Sequence, residues 1–241
     1  MQIKPFKTRV FNEEEEILPF ILKYIKKIPE GSVLVIASKI IALSEGRVVL
    51  NKNISFKEKL IKKESKFLLK TKHVWFTIKN NMIMSDAGID ESNANGKLIL
   101  LPKDSFLSAE KIRSQLCAHF KIKKLGVIIS DSGLLPLRKG VIGVALGYAG
   151  FVGIKNYKGK SDIFGRKFIY SATNIVDSLA TSATLCMGEG NEQQPLAMIL
   201  DAPVLFINKI NKKELNINLK EDVFYPLFKN IKIKKNDGKK K

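Results

Sequence analysis

The sequence lacks three features that would place it in a familiar class: paired cysteines, an export signal and a long apolar run. Its two cysteines, Cys117 and Cys186, are too few for a disulfide framework, and we expect both to be buried thiols in a reducing cytoplasm. Cys117 and His119 are not expected to form a nucleophile–base pair, because residues two apart on a helix do not face each other. The N-terminus has no apolar core of signal-peptide length, which predicts a cytoplasmic protein.

An uncharged stretch at residues 140–154 is the only segment that resembles part of a membrane span. Its glycines at 143 and 147 have the spacing of a membrane helix-dimer motif. A span needs about 20 residues, and this stretch is shorter. We therefore predict a buried, glycine-kinked strand or strand pair, and no membrane partner.

Acidic residues are also scarce, so that 42 basic against 23 acidic residues give a net charge of +19. The excess is mostly lysine spread over many segments, and it would attract phosphate-rich ligands and, non-specifically, nucleic acid. A dedicated nucleic-acid-binding protein should also show clustered arginines and aromatic residues on a strand face. The sequence shows neither pattern, so we predict no specific nucleic-acid partner. Residues 231–241 form a lysine-rich end that we expect to be disordered, after a single domain at 1–230.

Helical and strand patterns alternate along the rest of the chain, which is long enough to bury a substantial core. Helices are predicted from Asn12 to just before Pro29, over 54–70, from Ser108 to about 121, and over 172–187. Strands are predicted near the start of the chain and at 33–37, 48–50, 73–78, 82–84, 98–101, 125–129 and 195–200.

The stretch at residues 130–151 carries the clearest sign of chemistry. An apolar run at 125–129 gives way to Asp131 between two serines, which predicts oxygen ligands at the carboxyl end of a buried strand, where open α/β sheets bind ligands. Arg138 and Lys139 follow, and then glycines that permit close approach. An acid for a cation, a basic pair for an anion and small residues together indicate a metal–phosphate site.

Three other segments carry groups of the same kind. Ser38 and Lys39 follow the predicted strand at 33–37. Glu189 follows a helix, where the negative end of the helix dipole favours a cation. The acids, amides and glycine of residues 85–93 suit an ordinary loop or a ligand-binding loop equally well.

In order, the motifs are Ser38-Lys39, residues 44–47, 87–93 and 127–132, Arg138-Lys139-Gly140, Gly147 onward, and residues 162–166 and 187–190. Together they resemble the coenzyme F420-0:γ-glutamyl ligase family over roughly residues 5–200. The resemblance implies an α/β (α+β) fold peculiar to that family, with mixed sheets and flanking helices, built as an intertwined homodimer. It also implies GTP-dependent addition of L-glutamate to F420-0.

Residue roles follow from the same resemblance, position by position. It implies that a divalent metal is bound by Asp90, Asp131, Ser132 and Glu189. It implies that the nucleotide is contacted by Ser38, Lys39, Asn93, Gly188, Gly190 and Asn191, with residues 8–11 forming another nucleotide loop. The catalytic residues that it implies are Arg138, Lys139, Asp162 and Arg166.

The chemistry of these residue types agrees with that assignment. A carboxylate is a poor electrophile, so joining it to an amine calls for activation, here as an acyl phosphate. Phosphoryl transfer relies on positioning and charge neutralisation, and hard oxygen ligands suit Mg²⁺ or Mn²⁺ rather than zinc. Two alternatives stay open: a ligase of the same fold acting on another acid, because Leu43 and residues 133–137 depart from the family pattern, and a nucleic-acid-binding protein.

Overall fold

A five-stranded mixed sheet forms the centre of the computed structural model, which describes residues 1–228. The helices are α1 (Ile17–Tyr24), α2 (Ser38–Ser44), α3 (Ile54–Glu64), α4 (Ser105–Phe120), α5 (Ile175–Met187) and α6 (Tyr225–Phe228). The strands are β1 (Gln2–Phe6), β2 (Ser32–Ala37), β3 (Val48–Leu50), β4 (Phe67–Lys70), β5 (Trp75–Lys79), β6 (Met82–Ser85), β7 (Lys97–Ile99), β8 (Leu125–Leu134), β9 (Val141–Ala149), β10 (Ile154–Asn156), β11 (Ala172–Asn174) and β12 (Leu196–Leu200).

The order of strands in the central sheet is β1–β12–β2–β8–β9. Only β2 and β8 run parallel, with Ala37 opposite Ser130, and the other pairs are antiparallel. Because β12 is antiparallel to β2, its first residue Leu196 pairs with Ile36 near the carboxyl end of β2. The carboxyl ends of β2 and β8 and the start of β12 therefore lie along one edge of the sheet.

Helices cover both faces of this sheet because its inner strands are apolar on both sides. On one face α1, α2 and α4 bury residues such as Phe20, Ile41 and Leu116 against β2 and β8. On the other face α5 buries Val176 and Ala183 against the same strands and β9. The fold is thus a three-layer α/β/α arrangement, which agrees with the predicted mixture of sheets and flanking helices.

A β-bulge lets β9 serve both helix layers. Ile129 of β8 pairs with Gly147, but the next residue, Ser130, pairs with Ala145, so one residue of β9 is extra. Side chains in a regular strand alternate between faces, and an extra residue reverses that alternation. Gly143 therefore meets α5 whereas Gly147 meets the first turn of α4, although the two glycines are four residues apart.

A smaller lobe is inserted between α2 and α4. It contains the two-stranded β3–β7 sheet, the three-stranded β4–β5–β6 sheet and α3. Its own core consists of buried residues that include Ile61, Ala87, Ile89 and Leu98. The strands predicted at 73–78 and 82–84 correspond to β5 and β6, which pair with each other. The turn between them contains Asn80, whose left-handed backbone suits an asparagine.

Two exposed segments, which we call the arms, extend from the sheet. The first arm is the β8–β9 connection at residues 134–141, and the second is the loop at residues 157–171 that follows β10. Both arms expose apolar side chains, and Leu137, Phe164 and Tyr170 are each close to fully exposed.

The predicted end of the strand at residue 129 is wrong. β8 continues to Leu134, because Asp131 pairs with Val144 and the ladder to β9 runs on to the end of the strand. The apolar run marks only the part of β8 that is buried on both faces. Backbone pairing does not require apolar side chains, so it continues where the polar residues begin.

The predicted start of the first helix at Asn12 is also wrong, since α1 begins at Ile17. Glu14 has a left-handed backbone with φ of 59°, which no helix interior allows. The Glu15 carboxylate accepts hydrogen bonds from the Asn12 N–H and the Arg9 guanidinium. Glu15 therefore stabilises a turn before the helix rather than its first turn.

Three further helix boundaries differ from the prediction. The pattern at 54–70 divides into α3 and β4. Asp104 rather than Ser108 caps α4, and its side chain accepts a hydrogen bond of 2.9 Å from Leu107 N–H. The segment at 172–174 is strand β11, and α5 begins only after it.

The cysteine prediction is wrong for Cys186, which is exposed on α5, and Cys117 is only half-buried. The prediction for residues 140–154 is confirmed, because they contain β9 and the start of β10. Among residues 1–228, no helix has both the length and the apolar character needed to cross a bilayer. The predicted tail at 231–241 lies outside the described residues.

Replacing Gly147 by alanine should lower the free energy of unfolding by about 3 kcal/mol. A methyl group there would lie 2.5 Å from the backbone of Ser105 and Phe106, and the start of a helix cannot move aside as a flexible side chain can. Urea unfolding monitored by circular dichroism would measure the loss.

The control for this substitution is Gly159→Ala. Gly159 has φ of 80° and nothing within 4 Å of the added carbon. The substitution should therefore lower the free energy of unfolding only by the backbone strain, about 1 kcal/mol. Equal losses for the two variants would contradict close packing of β9 on α4.

Candidate active site

A cavity of about 650 Å³ opens at the edge of the sheet where β2 and β8 end. Its walls come from the segment after β1, the start of α2, the lobe loop at 90–95, residues 130–132 of β8, and the loop between α5 and β12. This is the edge at which open α/β sheets bind ligands, as the sequence predicts. Its volume suits a ligand of nucleotide size.

Asp131 lies at the base of this cavity, partly buried between β2 and β9. Burial raises the pKa of Asp131 to about 6, and the negative charge of Asp90 adds to the rise. The Ser132 N–H, which donates to Asp131 Oδ1 at 2.9 Å, acts against the rise, as do the Ser38 hydroxyl and the charge of Lys39. The carboxylate is therefore held where its negative charge is only partly compensated.

Asp90 projects from the lobe and meets Lys39 at the start of α2. Lys39 Nζ lies 2.8 Å from Asp90 Oδ2 and also donates to Ser92 O at 2.8 Å and Ser92 Oγ at 3.1 Å. Burial by itself would raise the pKa of Asp90, but the hydrogen bond and charge of Lys39, together with the bonds from Ser92, hold it below its usual value. These two aspartates of the cavity thus differ: Asp90 has a cationic partner and Asp131 has mainly neutral ones.

The loop after α5, residues 188–194, is tied to both sides of the cavity. Ser132 Oγ donates to Glu189 Oε2 at 2.6 Å, which places these two predicted metal ligands beside each other. From the lobe, Asn93 Nδ2 donates to Gly190 O at 3.1 Å. Residues from β8, the lobe and this loop are therefore held around one space.

The structure brings together ten of the fourteen residues that the sequence assigned to the site. These ten line the cavity: Ser38, Lys39, Asn93, Gly188, Gly190, Asn191, Asp90, Asp131, Ser132 and Glu189. The other four do not line it within one chain: Arg138 and Lys139 lie on the first arm, and Asp162 and Arg166 on the second. On the second arm, Asp162 Oδ1 accepts from the N–H groups of Phe164 and Arg166, both at 2.9 Å, which fixes a tight turn.

Ser92 is a site residue that the sequence alone did not single out. It contacts Asp90 through both its N–H and its hydroxyl, and a lone serine in a polar loop gives no pattern that would single it out.

The motif at 44–47 has a structural role instead. Its Arg47 bonds Leu101 O and pairs with Glu64, which also pairs with the buried Lys79.

The donor set fits a divalent metal that is shared with a ligand. Across residues 1–228, no three histidine, cysteine or acidic side chains lie close enough together to enclose a metal. Asp90 and Asp131 do interact as charges, and Ser132, whose hydroxyl donates to Glu189, lines the same cavity. Mg²⁺ commonly takes one or two carboxylates and completes its shell with waters and substrate phosphates. The cavity offers that arrangement rather than a closed protein cage.

Comparison with known proteins gives one consistent result. The family model for F420-0:Gamma-glutamyl ligase matches residues 5–201. The coenzyme F420:L-glutamate ligase of Methanococcus maripaludis strain C6 is 34% identical over 231 residues, which covers 88% of this chain and 92% of that protein. The protein of the same name from Methanocaldococcus jannaschii is 36% identical over 215 residues, which covers 82% of this chain and 86% of that protein. The protein of the same name from Archaeoglobus fulgidus is 30% identical over 188 residues, which covers 70% of this chain and 75% of that protein. Every residue that lines the cavity lies inside the matched range.

Replacing Asp131 by asparagine should stabilise the metal-free protein at pH 8 and change its stability little at pH 4. The pKa of Asp131 is raised from 3.8 to about 6, so the folded wild type loses stability as the pH rises through that window, and the amide does not. The full shift corresponds to about 3 kcal/mol at most. Urea unfolding in the presence of EDTA at pH 4, 5, 6 and 8 would measure the difference.

The control is Asp201→Asn, which makes the same chemical change at an exposed position outside the cavity. It should give no comparable gain. A gain for Asp131→Asn that is the same at every pH would contradict the raised pKa.

Proposed function

Because the chain belongs to the F420-0:gamma-glutamyl ligase family, we propose that it joins L-glutamate to coenzyme F420-0 at the expense of GTP. The observation that carries this proposal is the pair Asp90 and Asp131, which sits with Lys39 at the carboxyl edge of the sheet. Acids and a lysine in one cavity suit a metal-bound nucleotide, and they occupy the positions at which the sequence resembles the family.

Activation of the carboxylate accounts for the use of a nucleotide. A carboxylate oxygen of F420-0 attacks the γ-phosphorus of GTP, and the bond between that phosphorus and the β,γ-bridging oxygen breaks to release GDP. The amine of glutamate then attacks the carbonyl carbon of the acyl phosphate, inorganic phosphate leaves, and the nitrogen loses a proton. Neither step needs a nucleophile from the protein, so a site of acids, cations and backbone groups is sufficient.

Each group in the cavity has a role in this proposal. Asp90 and Asp131 hold a Mg²⁺ or Mn²⁺ ion, with Ser132 and Glu189 beside them. When bound, that ion would neutralise charge on the phosphate oxygens. Lys39 adds a positive charge toward the same phosphates. The loop at 188–194 and the amide of Asn93 contact the nucleotide and exclude water from it.

We propose further that the active form is a homodimer in which the arms complete the site. The arms expose Leu137 and Phe164, and apolar side chains exposed together mark a surface for another protein. They also carry Arg138 and Arg166, which lie outside the cavity of their own chain. A second copy could supply these cations to the growing charge on the phosphate.

The proposed reaction should release one inorganic phosphate and one GDP for each amide bond formed, because the phosphoryl group is transferred to the carboxylate. Phosphorus NMR of a reaction with GTP, Mn²⁺, glutamate and F420-0 would count the products. Added hydroxylamine should divert the acyl phosphate to a hydroxamate in wild type and not in Asp131→Asn.

If pyrophosphate and GMP appeared in step with product, the carboxylate would be activated by transfer of GMP rather than by transfer of the γ-phosphoryl group. Turnover with ATP alone would assign a different nucleotide. If GTP were consumed with another acid but not with F420-0, the protein would be a ligase of the same fold that acts on a different acid.

The paired substitution Leu137→Asp and Phe164→Asp should convert a dimer to a monomer in light scattering, because it places charges on the apolar arms. Leu107→Asp changes an exposed leucine on α4 and serves as the control. For the shared site, a one-to-one mixture of Asp131→Asn and Arg138→Ala subunits should recover about a quarter of wild-type activity, since half the dimers then hold one intact site. No recovery after subunit exchange would mean that each site belongs to a single chain.

A further inference from the structure

The ammonium group of Lys39 lies in a cage of oxygen atoms from the lobe. It is 2.8 Å from Asp90 Oδ2 and donates to the carbonyl and hydroxyl oxygens of Ser92 at 2.8 and 3.1 Å. A carboxylate, a carbonyl and a hydroxyl are the oxygen types that Mg²⁺ and Mn²⁺ accept. Lys39 therefore has the surroundings of a bound cation, and one of its partners is an acid proposed to hold the metal.

We propose that Lys39 is a resident counter-ion, which the incoming divalent cation displaces from Asp90 and which then pairs with the phosphates of the nucleotide. This inference rests on the proposed function, because it takes Asp90 as a metal ligand and the cavity as a nucleotide site. It also describes how metal and nucleotide binding depend on each other. The metal and Lys39 compete for the Asp90 carboxylate until a phosphate of the nucleotide becomes the partner of Lys39.

Electrostatics gives the reason for the exchange. Asp90 and Asp131 are acids whose charges interact, so a cation beside them is favourable, and Lys39 supplies one. A divalent ion beside the same carboxylate would repel the ammonium group. The phosphates of a nucleotide carry several negative charges, and they offer the displaced group a stronger partner than the neutral oxygens of Ser92.

The position of Lys39 allows it to move while the site stays in place. Its backbone is in the first turn of α2, directly after the buried strand β2. The preceding residue, Ser38, is buried and its hydroxyl contacts Asp131. A four-carbon stem with a rotatable ammonium group can change partners without moving that backbone.

The alternative is a fixed brace, in which Lys39 only holds the loop of Asp90 in position. The two roles predict opposite effects of Lys39→Met on Mn²⁺. Loss of a brace would weaken the binding of Mn²⁺ and of nucleotide together. Loss of a competing cation would tighten the binding of Mn²⁺ and weaken that of nucleotide.

The test measures each ligand alone. Free Mn²⁺ is counted by electron paramagnetic resonance in titrations without nucleotide, and GDP binding is measured by calorimetry in EDTA. For Lys39→Met we expect Mn²⁺ affinity to rise about tenfold and GDP affinity to fall about tenfold, within the usual range of coupling between sites. Lys39→Arg keeps the charge and should bind Mn²⁺ like wild type. Thermal unfolding confirms that each variant is folded.

The matched control is Lys70→Met. Lys70 lies in the same lobe and pairs with Glu58, and neither residue lines the cavity, so its removal should leave Mn²⁺ binding unchanged. Equal tightening in Lys70→Met would assign the effect to overall charge and overturn the proposal. Unchanged or weaker Mn²⁺ binding in Lys39→Met would overturn it as well. If wild type binds neither Mn²⁺ nor GDP, the proposed function fails together with this inference. If wild type binds both and Lys39→Met does not separate them, only this inference fails.

Discussion

The parallel pairing of β2 with β8 is the constraint on which the candidate site depends. Because Ala37 lies opposite Ser130, the residues that follow them, Ser38 at the start of α2 and Asp131 in β8, lie at the same edge of the sheet. The antiparallel strand β12 begins at the same edge and brings the loop at 188–194 with it. A slip of one residue would turn Asp131 to the opposite face, so a site built from single residues of three segments requires this one register.

The second requirement is contact between the sheet and the lobe, which have separate apolar cores. Part of the contact is apolar, because Ala42 of α2 packs against Ala94 and Ile99 of the lobe. At the cavity it also has a polar part: the ion pair of Lys39 with Asp90, and the hydrogen bond of Asn93 with Gly190 O. Polar contacts between two packed bodies can be exchanged for contacts with a charged ligand at little cost in stability. The strength of ligand binding is therefore linked to how firmly the lobe core holds Asp90 in place.

The resemblance to the family supplied cavity residues such as Asp90, Asn93 and Gly190. Local sequence patterns predicted the buried strands and the polar residues that end them, such as Ser38 and Asp131, because these are local features. They failed where partners distant in sequence decide the structure. The end of β8 is set by its ladder to β9, and the acids near Asn12 serve a turn that involves Arg9. Four assigned residues, among them Arg138 and Asp162, lie on arms whose surroundings in one chain differ from the cavity, and no local pattern distinguishes a site within a chain from a site between chains.

The bulge in β9 has a consequence for how the chain tolerates changes in length. Leu146 is the residue with no counterpart on β8. Removing one residue at this point would therefore leave a regular strand in which all the remaining side chains keep their present faces. The same deletion further along β9 would send Tyr148 and its neighbours to the wrong helix layer. Insertions in the arms, by contrast, alter neither face. Length variation among relatives should therefore collect in the arms and at the bulge, and the rest of the strand should keep a fixed number of residues.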